Sequence, residues 1–214
     1  MGEKIMIEWS LYLKIFTGLF AIINPLGAIP IYISLLGDEQ KAERKRHLRI
    51  TALTVFCVLT FVLFTGEAVL HFFSVSLESF KIAGGLLIML MAFSMLQAKQ
   101  PGSKHTREER LEAQEKESVA VVPLAIPLLA GPGAISFVIM YSSLHQTFNH
   151  KLIIFLILLI ISSIIYILFY IGPAVTKFLG KTGINIFTRI MGLFIAAIGV
   201  ELITSSLIEI FHRI

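Results

Sequence analysis

What constrains this sequence most is the recurrence of apolar runs longer than the ~20 residues an α-helix needs to cross ~30 Å of hydrocarbon. Six such runs can be read, at about 9 to 36, 50 to 73, 77 to 97, 119 to 144, 152 to 171 and 184 to 210. They are continuously apolar, without the alternation of an outer-membrane barrel strand, so they predict helices. Only 15% of the 214 residues are charged, against roughly a quarter in soluble domains, and the mean hydropathy is +0.85. A soluble domain is thereby excluded and an all-α integral membrane protein is predicted. The first run has no small-residue cleavage site and reads as a span, not as a signal peptide. Cys57, the lone cysteine, lies inside an apolar run; it offers neither a disulfide framework nor a thiolate metal site and is expected to be a small buried hydrophobe.

Charge sets the expected orientation. The link after the first span carries Lys41, Arg44, Lys45, Arg46 and Arg49; the one after the third carries Lys99, Lys104, Arg107, Arg110 and Lys116; the one after the fifth carries Lys177, Lys181 and Arg189. By the positive-inside rule these three links face the cytoplasm and both termini face outward. The link 98–118 mixes both signs, as in "EERLEAQEKES", and reads as a solvated connection between a first unit, 1–97, and a second, 119–214. The net charge of +4 is explained by this topology, and nucleic acid is not an expected partner.

The two units resemble one another. A shift of 106 lays Gly27, Ala28 and Ile29 on Gly133, Ala134 and Ile135, and lays Gly66, Ala68, Val69 and Phe72 on Gly172, Ala174, Val175 and Phe178. A shift of 107 lays Phe80, Gly85, Leu86 and Ile88 on Phe187, Gly192, Leu193 and Ile195. Three spans per unit oblige the second to enter the membrane from the opposite side, which predicts two inverted-topology three-helix repeats. The repeat also pairs two interruptions. "NPLGAIP" at 24–30 falls on "AGPGAIS" at 130–136, with Ala130 as the counterpart of Asn24, each well inside the first span of its unit. Proline removes a backbone donor and glycine frees the backbone, so each first helix is expected to break. Half-helix N-termini then attract a carboxylate, and freed carbonyls attract an ammonium or a cation. Simple kinks are the alternative, since proline and glycine are common in membrane helices. Thr17 and Ser136 are weaker candidates, because hydroxyls in spans tend to bond back to their own helix.

Gly84 and Gly85 in the third span, and Gly192, Ala196 and Gly199 in the sixth, form faces that suit close helix packing near the breaks. Among ionisable groups Glu201, inside the sixth span, is the candidate for coupling or gating, with an ion-paired or interfacial role as the alternative. Glu67, Glu78 and Lys81 are expected near the outer interface. The histidines fall in links or at span ends, no metal-binding pattern is present, and neither an enzyme nor a bound cofactor is expected.

"GLFAIINPLGAIPIYISL", "SFKIAGGLLIMLMAFSML", "VVPLAIPLLAGPGAIS" and "TGINIFTRIMGLFIAAIGVE" occur in order, and in them the chain resembles the MarC/SnatA family of bacterial inner-membrane proteins over nearly its whole length. The resemblance implies six spans, outward-facing termini and transport, in the export direction, of small neutral amino acids such as glycine, alanine, serine or threonine. It places the substrate region on Asn24, Pro25, Gly27, Gly131, Pro132 and Gly133. A proton or sodium ion is the expected coupling ion, since no nucleotide-binding domain is present. The alternative is a membrane-embedded interaction or signalling protein whose charged central link recruits a partner.

Overall fold

The computed structural model describes residues 2–36, 40–97, 129–144 and 147–212. The described elements are helices: α1 (Gly2–Ile23), α2 (Pro25–Leu36), α3 (Lys41–Phe72), α4 (Leu77–Leu96), α5 (Pro132–Ser142), α6 (Phe148–Tyr170) and α7 (Gly172–His212). Five stretches, Trp9–Ser34, Ala42–Phe72, Leu77–Leu96, Phe148–Tyr170 and Gly172–His212, are long and apolar enough to cross a membrane, and Pro132–Ser142 is a shorter apolar helix. The span expected over 119 to 144 is described only from Leu129 onward, and the link 98–118 lies outside the described residues. The described residues are all-helical, and the chain is a multi-pass integral membrane protein.

Local chemistry explains the helix edges. The Ser76 hydroxyl accepts the Ser79 N–H at 3.2 Å and opens α4, and the Thr147 hydroxyl accepts the His150 N–H at 3.4 Å and opens α6; both are ordinary N-caps. α3 starts well before the second apolar run, because its first residues, "KAERKRHLR", are strong helix formers. Arg44, Lys45, Arg46 and Arg49 therefore stand on a helix, not in a loop. α7 likewise takes in the expected link before the sixth span and bends at Gly180, where φ is 63°.

α4 and α7 form the most extensive helix pair, and α3 packs on α6. The short helices fill the angles between these pairs: α2 lies on α7 and α6, and α5 lies on α4 and α3. Lipid chains are as apolar as leucine, so association within a bilayer rests on close packing. The α4–α7 seam shows this. A Cβ added to Gly85 would stand 2.9 Å from the Gly199 carbonyl oxygen, one on Gly199 3.0 Å from the Gly85 oxygen, and one on Gly192 3.2 Å from the Ala92 oxygen. Gly84 turns toward α5 instead, where a Cβ would meet Ser136 Cβ at 2.9 Å.

One expectation needs correction. Cys57 is exposed on α3 and not buried; in a bilayer that surface meets lipid chains, which accommodate a small thiol as well as a core does. Glu78 and Lys81, expected near the outer interface, are packed against protein and only 8% exposed. Lys81 reaches across to Glu209 of α7 at 3.1 Å, which satisfies a buried cation that would otherwise be costly.

Candidate functional site

The first break occupies one residue. Asn24 has φ 44°, a left-handed conformation that asparagine tolerates better than other side-chain-bearing residues. Its N–H still donates to the Phe20 carbonyl at 3.0 Å and closes α1, while its own carbonyl accepts the Ala28 N–H at 3.2 Å. Its side-chain Oδ1 accepts the Gly27 N–H, also at 3.2 Å, and so caps α2. Pro25, the first residue of α2, has no N–H, so the carbonyl of Ala21 loses its ordinary i+4 donor. Gly27 has to be bare: a Cβ there would run into the Asn24 amide and come within 2.9 Å of Thr188 Oγ1 on α7.

The second interruption is described only from Leu129 onward, and there it repeats the proline-led start without the cap. Gly131 precedes α5 in an extended conformation (φ −70°, ψ 175°) and Pro132 begins the helix. The Gly131 carbonyl accepts the Ile135 N–H at 3.1 Å, but no side chain caps the first turn. The caps thus set Asn24 opposite Gly131, and Pro25 opposite Pro132, instead of the Ala130 that sequence similarity suggested. Gly133 is buried, and a Cβ on it would lie 2.6 Å from Met91 Sδ of α4 and 3.5 Å from both Ile88 and Ile22.

Ile22 joins the two breaks, for it stands two residues before Asn24 and packs on Gly133. A Cβ on Gly18, one turn earlier, would touch Phe137 Cζ at 2.6 Å, one turn later in α5. Each step of four along α1 is therefore matched by a step of four back along α5, a register that continues toward Asn24 and Gly131. Of the candidate residues, Asn24, Pro25 and Gly27 form one cluster and Gly131, Pro132 and Gly133 the other. Gly84 backs the second through Ser136, while Gly85, Gly192 and Gly199 belong to the α4–α7 seam.

Glu201 lies apart from both clusters. It pairs with Lys14 of α1 at 2.5 Å, and both side chains are about half exposed. Lys14 precedes Asn24 by ten residues, about 15 Å of helix and so about half the hydrocarbon thickness. That distance sets the pair, which clamps α1 to α7, apart from the first break. Under the transport reading proposed below, Glu201→Gln is expected to change exchange less than about fivefold, the factor for the ~1 kcal/mol that exposed pairs reach, and to leave its pH profile in place. A displaced pH profile in that variant would return Glu201 to a coupling role. Thr17 bonds back to the Leu13 carbonyl at 2.9 Å, as hydroxyls in spans commonly do.

Two contributors escape sequence reasoning. Thr188 gains its place only through the contact of α7 with the first break. His150 is buried at the start of α6, with Nε2 2.8 Å from the Tyr141 carbonyl and Nδ1 3.1 Å from the Tyr12 hydroxyl. A carbonyl can only accept, so Nε2 carries the proton and, in the neutral ring, Nδ1 accepts from Tyr12. The ring ties α1, α5 and α6 together.

The sequence matches the family model described as MarC family integral membrane protein over residues 9–211. It is 38% identical to the UPF0056 membrane protein YhcE of Escherichia coli, over 95% of this chain and 95% of that protein. A UPF0056 membrane protein of Buchnera aphidicola subsp. Schizaphis graminum is also 38% identical, over 98% of this chain and 97% of its own. The UPF0056 membrane protein MJ1677 of Methanocaldococcus jannaschii is 35% identical over 92% and 95%. No solved structure matches the chain. With matched residues running through "NPLGAIP", "AGPGAIS" and the α4–α7 seam, the chain belongs to the MarC family of integral membrane proteins.

Proposed function

We propose that the protein is a secondary transporter of small neutral amino acids such as glycine, alanine, serine or threonine, working by alternating access between two inverted three-helix halves. The observation that carries this reading is that the break at Asn24 and the proline-led start of α5 are held against each other through Ile22 and Gly133. Broken helices meeting inside a membrane are the usual site of secondary carriers.

Three correspondences support the inverted repeat. A shift of 107 carries Gly85 to Gly192 and Ala92 to Gly199, so the approach of Gly85 to Gly199 becomes that of Gly192 to Ala92, and both are close. An interface that maps onto itself in this way is what a twofold axis produces. Gly66 of α3 is filled by Ile139 of α5, and Gly172, its counterpart, adjoins Ile29 and Tyr32 of α2. The helix pairs also exchange under the same operation, α2 on α7 and α6 answering to α5 on α4 and α3.

Backbone chemistry supports a zwitterion. The N-terminus of α5, without a side-chain cap, offers N–H groups and the positive end of a helix dipole to a carboxylate. The C-terminal end of α1 offers the Ala21 carbonyl to an ammonium. Ile22, Ile88 and Met91 crowd Gly133 and favour a small side chain. A proton or sodium gradient would supply the energy; the positive-inside rule favours both termini outside, and export is the direction that the family resemblance implies.

Reconstituted protein should exchange labelled alanine or glycine across liposomes, with imposed proton and sodium gradients identifying the coupling ion. If it moves and binds neither amino acid, the substrate assignment fails. Asn24→Gly tests the site, because glycine keeps the left-handed backbone and costs a cap only a few tenths of a kcal/mol. The Asn24 amide Nδ2 would donate to the substrate carboxylate, so exchange is expected to fall about tenfold or more, as for a lost hydrogen bond to a charged group, with the melting temperature nearly unchanged. Wild-type exchange in Asn24→Gly would confine Asn24 to the helix cap.

A further inference from the structure

We propose that the cleft between the basic end of α3 and the end of α6 binds the phosphodiester headgroup of an anionic phospholipid. Its described lining is Ala42, Arg44, Lys45 and Tyr170, around a volume of about 580 Å³. The inference rests on membrane placement and not on the transport reading.

Depth is the first argument. Ser162 Oγ of α6 donates to the Ala52 carbonyl of α3 at 2.5 Å and ties the two helices together, and the Phe56 and Phe155 rings meet one turn further along α3, with centroids 5.2 Å apart, so the helices run antiparallel. Arg44 and Tyr170 each lie eight residues from the Ser162–Ala52 bond toward the same face, about 12 Å along the helices. The cleft therefore opens where the span Phe148–Tyr170 ends. That is the level of lipid phosphates, where tyrosine is enriched.

Chemistry is the second. Lys45 Nζ stands 5.7 Å from the centroid of the Tyr170 ring, a cation–π contact that holds the ammonium at the cleft. Arg44 is half buried beside it and presents a guanidinium able to grip two phosphate oxygens. Among the described residues no carboxylate pairs with either cation, and the exposed Glu43 is not part of the lining. The positive-inside rule asks only that cations gather on this face. Here two of them converge on an aromatic wall between helices, while the exposed Arg46 and Arg49 of the same helix are not in the lining. Basic pockets between spans on this face are suited to headgroups.

The test uses the full-length protein in detergent, with retained lipid counted by native mass spectrometry. Phosphatidylglycerol should be retained and phosphatidylcholine lost. The double variant Arg44→Gln/Lys45→Gln should bind phosphatidylglycerol about thirtyfold more weakly, the factor for two cations worth about 1 kcal/mol each. Arg46→Gln/Arg49→Gln removes the same charge from the same helix and should stay close to wild type. Should the first pair fail to fold, Lys45→Gln and Tyr170→Leu are read singly against wild type, each with a smaller loss expected and unchanged retention overturning the proposal. Equal losses in the two double variants would mean diffuse surface charge and would overturn the site. Retention of phosphatidylcholine as firmly as phosphatidylglycerol would do the same. Displacement of the lipid by millimolar glycerol 3-phosphate would make it a small-anion site and reject the lipid, whereas failure of that soluble headgroup to compete supports it.

Discussion

Gly133→Leu is expected to reduce alanine exchange by at least about a hundredfold while the protein still folds and enters the membrane. The new side chain would first meet Met91 Sδ, 2.6 Å from the ideal Cβ, and a thioether on a flexible chain can swing aside. The folding cost should therefore stay within the ~1–3 kcal/mol typical of overpacking. The branched end would then fill the space between Ile22, Ile88 and the first turn of α5, where the proposed carboxylate lies. Two hydrogen bonds to a charged group, at about 1.5–3 kcal/mol each, account for more than a hundredfold loss when both are blocked. Gly133→Ala should lose much less. Adding Met91→Ala to Gly133→Leu should recover stability without recovering exchange, because it relieves the packing and leaves the site filled. Wild-type exchange by Gly133→Leu would remove the second break from the mechanism.

Much of this arrangement is legible in the sequence because it follows from local rules. Apolar length alone marks the spans, and α4 begins and ends almost where its hydropathy does, since Ser76 caps it. Proline marks both breaks, because each begins a half-helix at the residue it occupies. The pairing of the breaks slipped by one residue. The shared Gly-Ala-Ile favoured a shift of 106, whereas the helix starts at Pro25 and Pro132 follow 107. Helix edges written in polar residues were also hidden. Hydropathy ends at the first arginines of α3, while helix propensity carries on to Lys41. Contacts between distant segments were out of reach altogether: nothing near His150 announces Tyr12, which stands 138 positions away in the chain. Nothing near Gly27 announces Thr188. A buried polar group finds its partner through the fold, and the sequence shows only that it will need one.

Gly199→Leu is expected to act on the scaffold, not on the site, and to lower the melting temperature in detergent by about 6–12 °C. The ideal Cβ would stand 3.0 Å from the Gly85 carbonyl oxygen and 2.7 Å from Met89 Cγ. A backbone oxygen cannot rotate away as Met91 can, so α4 and α7 must separate. Ile88 and Ile195, both fully buried along this seam, would lose contacts that the bilayer does not replace with a hydrophobic drive. A cost of roughly 3 kcal/mol corresponds to that temperature shift in a chain of this length. Ala197→Leu, on the exposed face of the same helix, should shift it little. If α4 and α7 are related by a twofold axis, Gly85→Leu and Gly192→Leu should be about equally destabilising, since each drives a side chain at a carbonyl of the opposite helix. A markedly unequal pair would argue against the inverted repeat even if transport were intact. Any loss of exchange in Gly199→Leu should follow its loss of folded protein, whereas Gly133→Leu should lose exchange at full folding, and this contrast separates the seam that holds the halves together from the breaks that would bind the substrate.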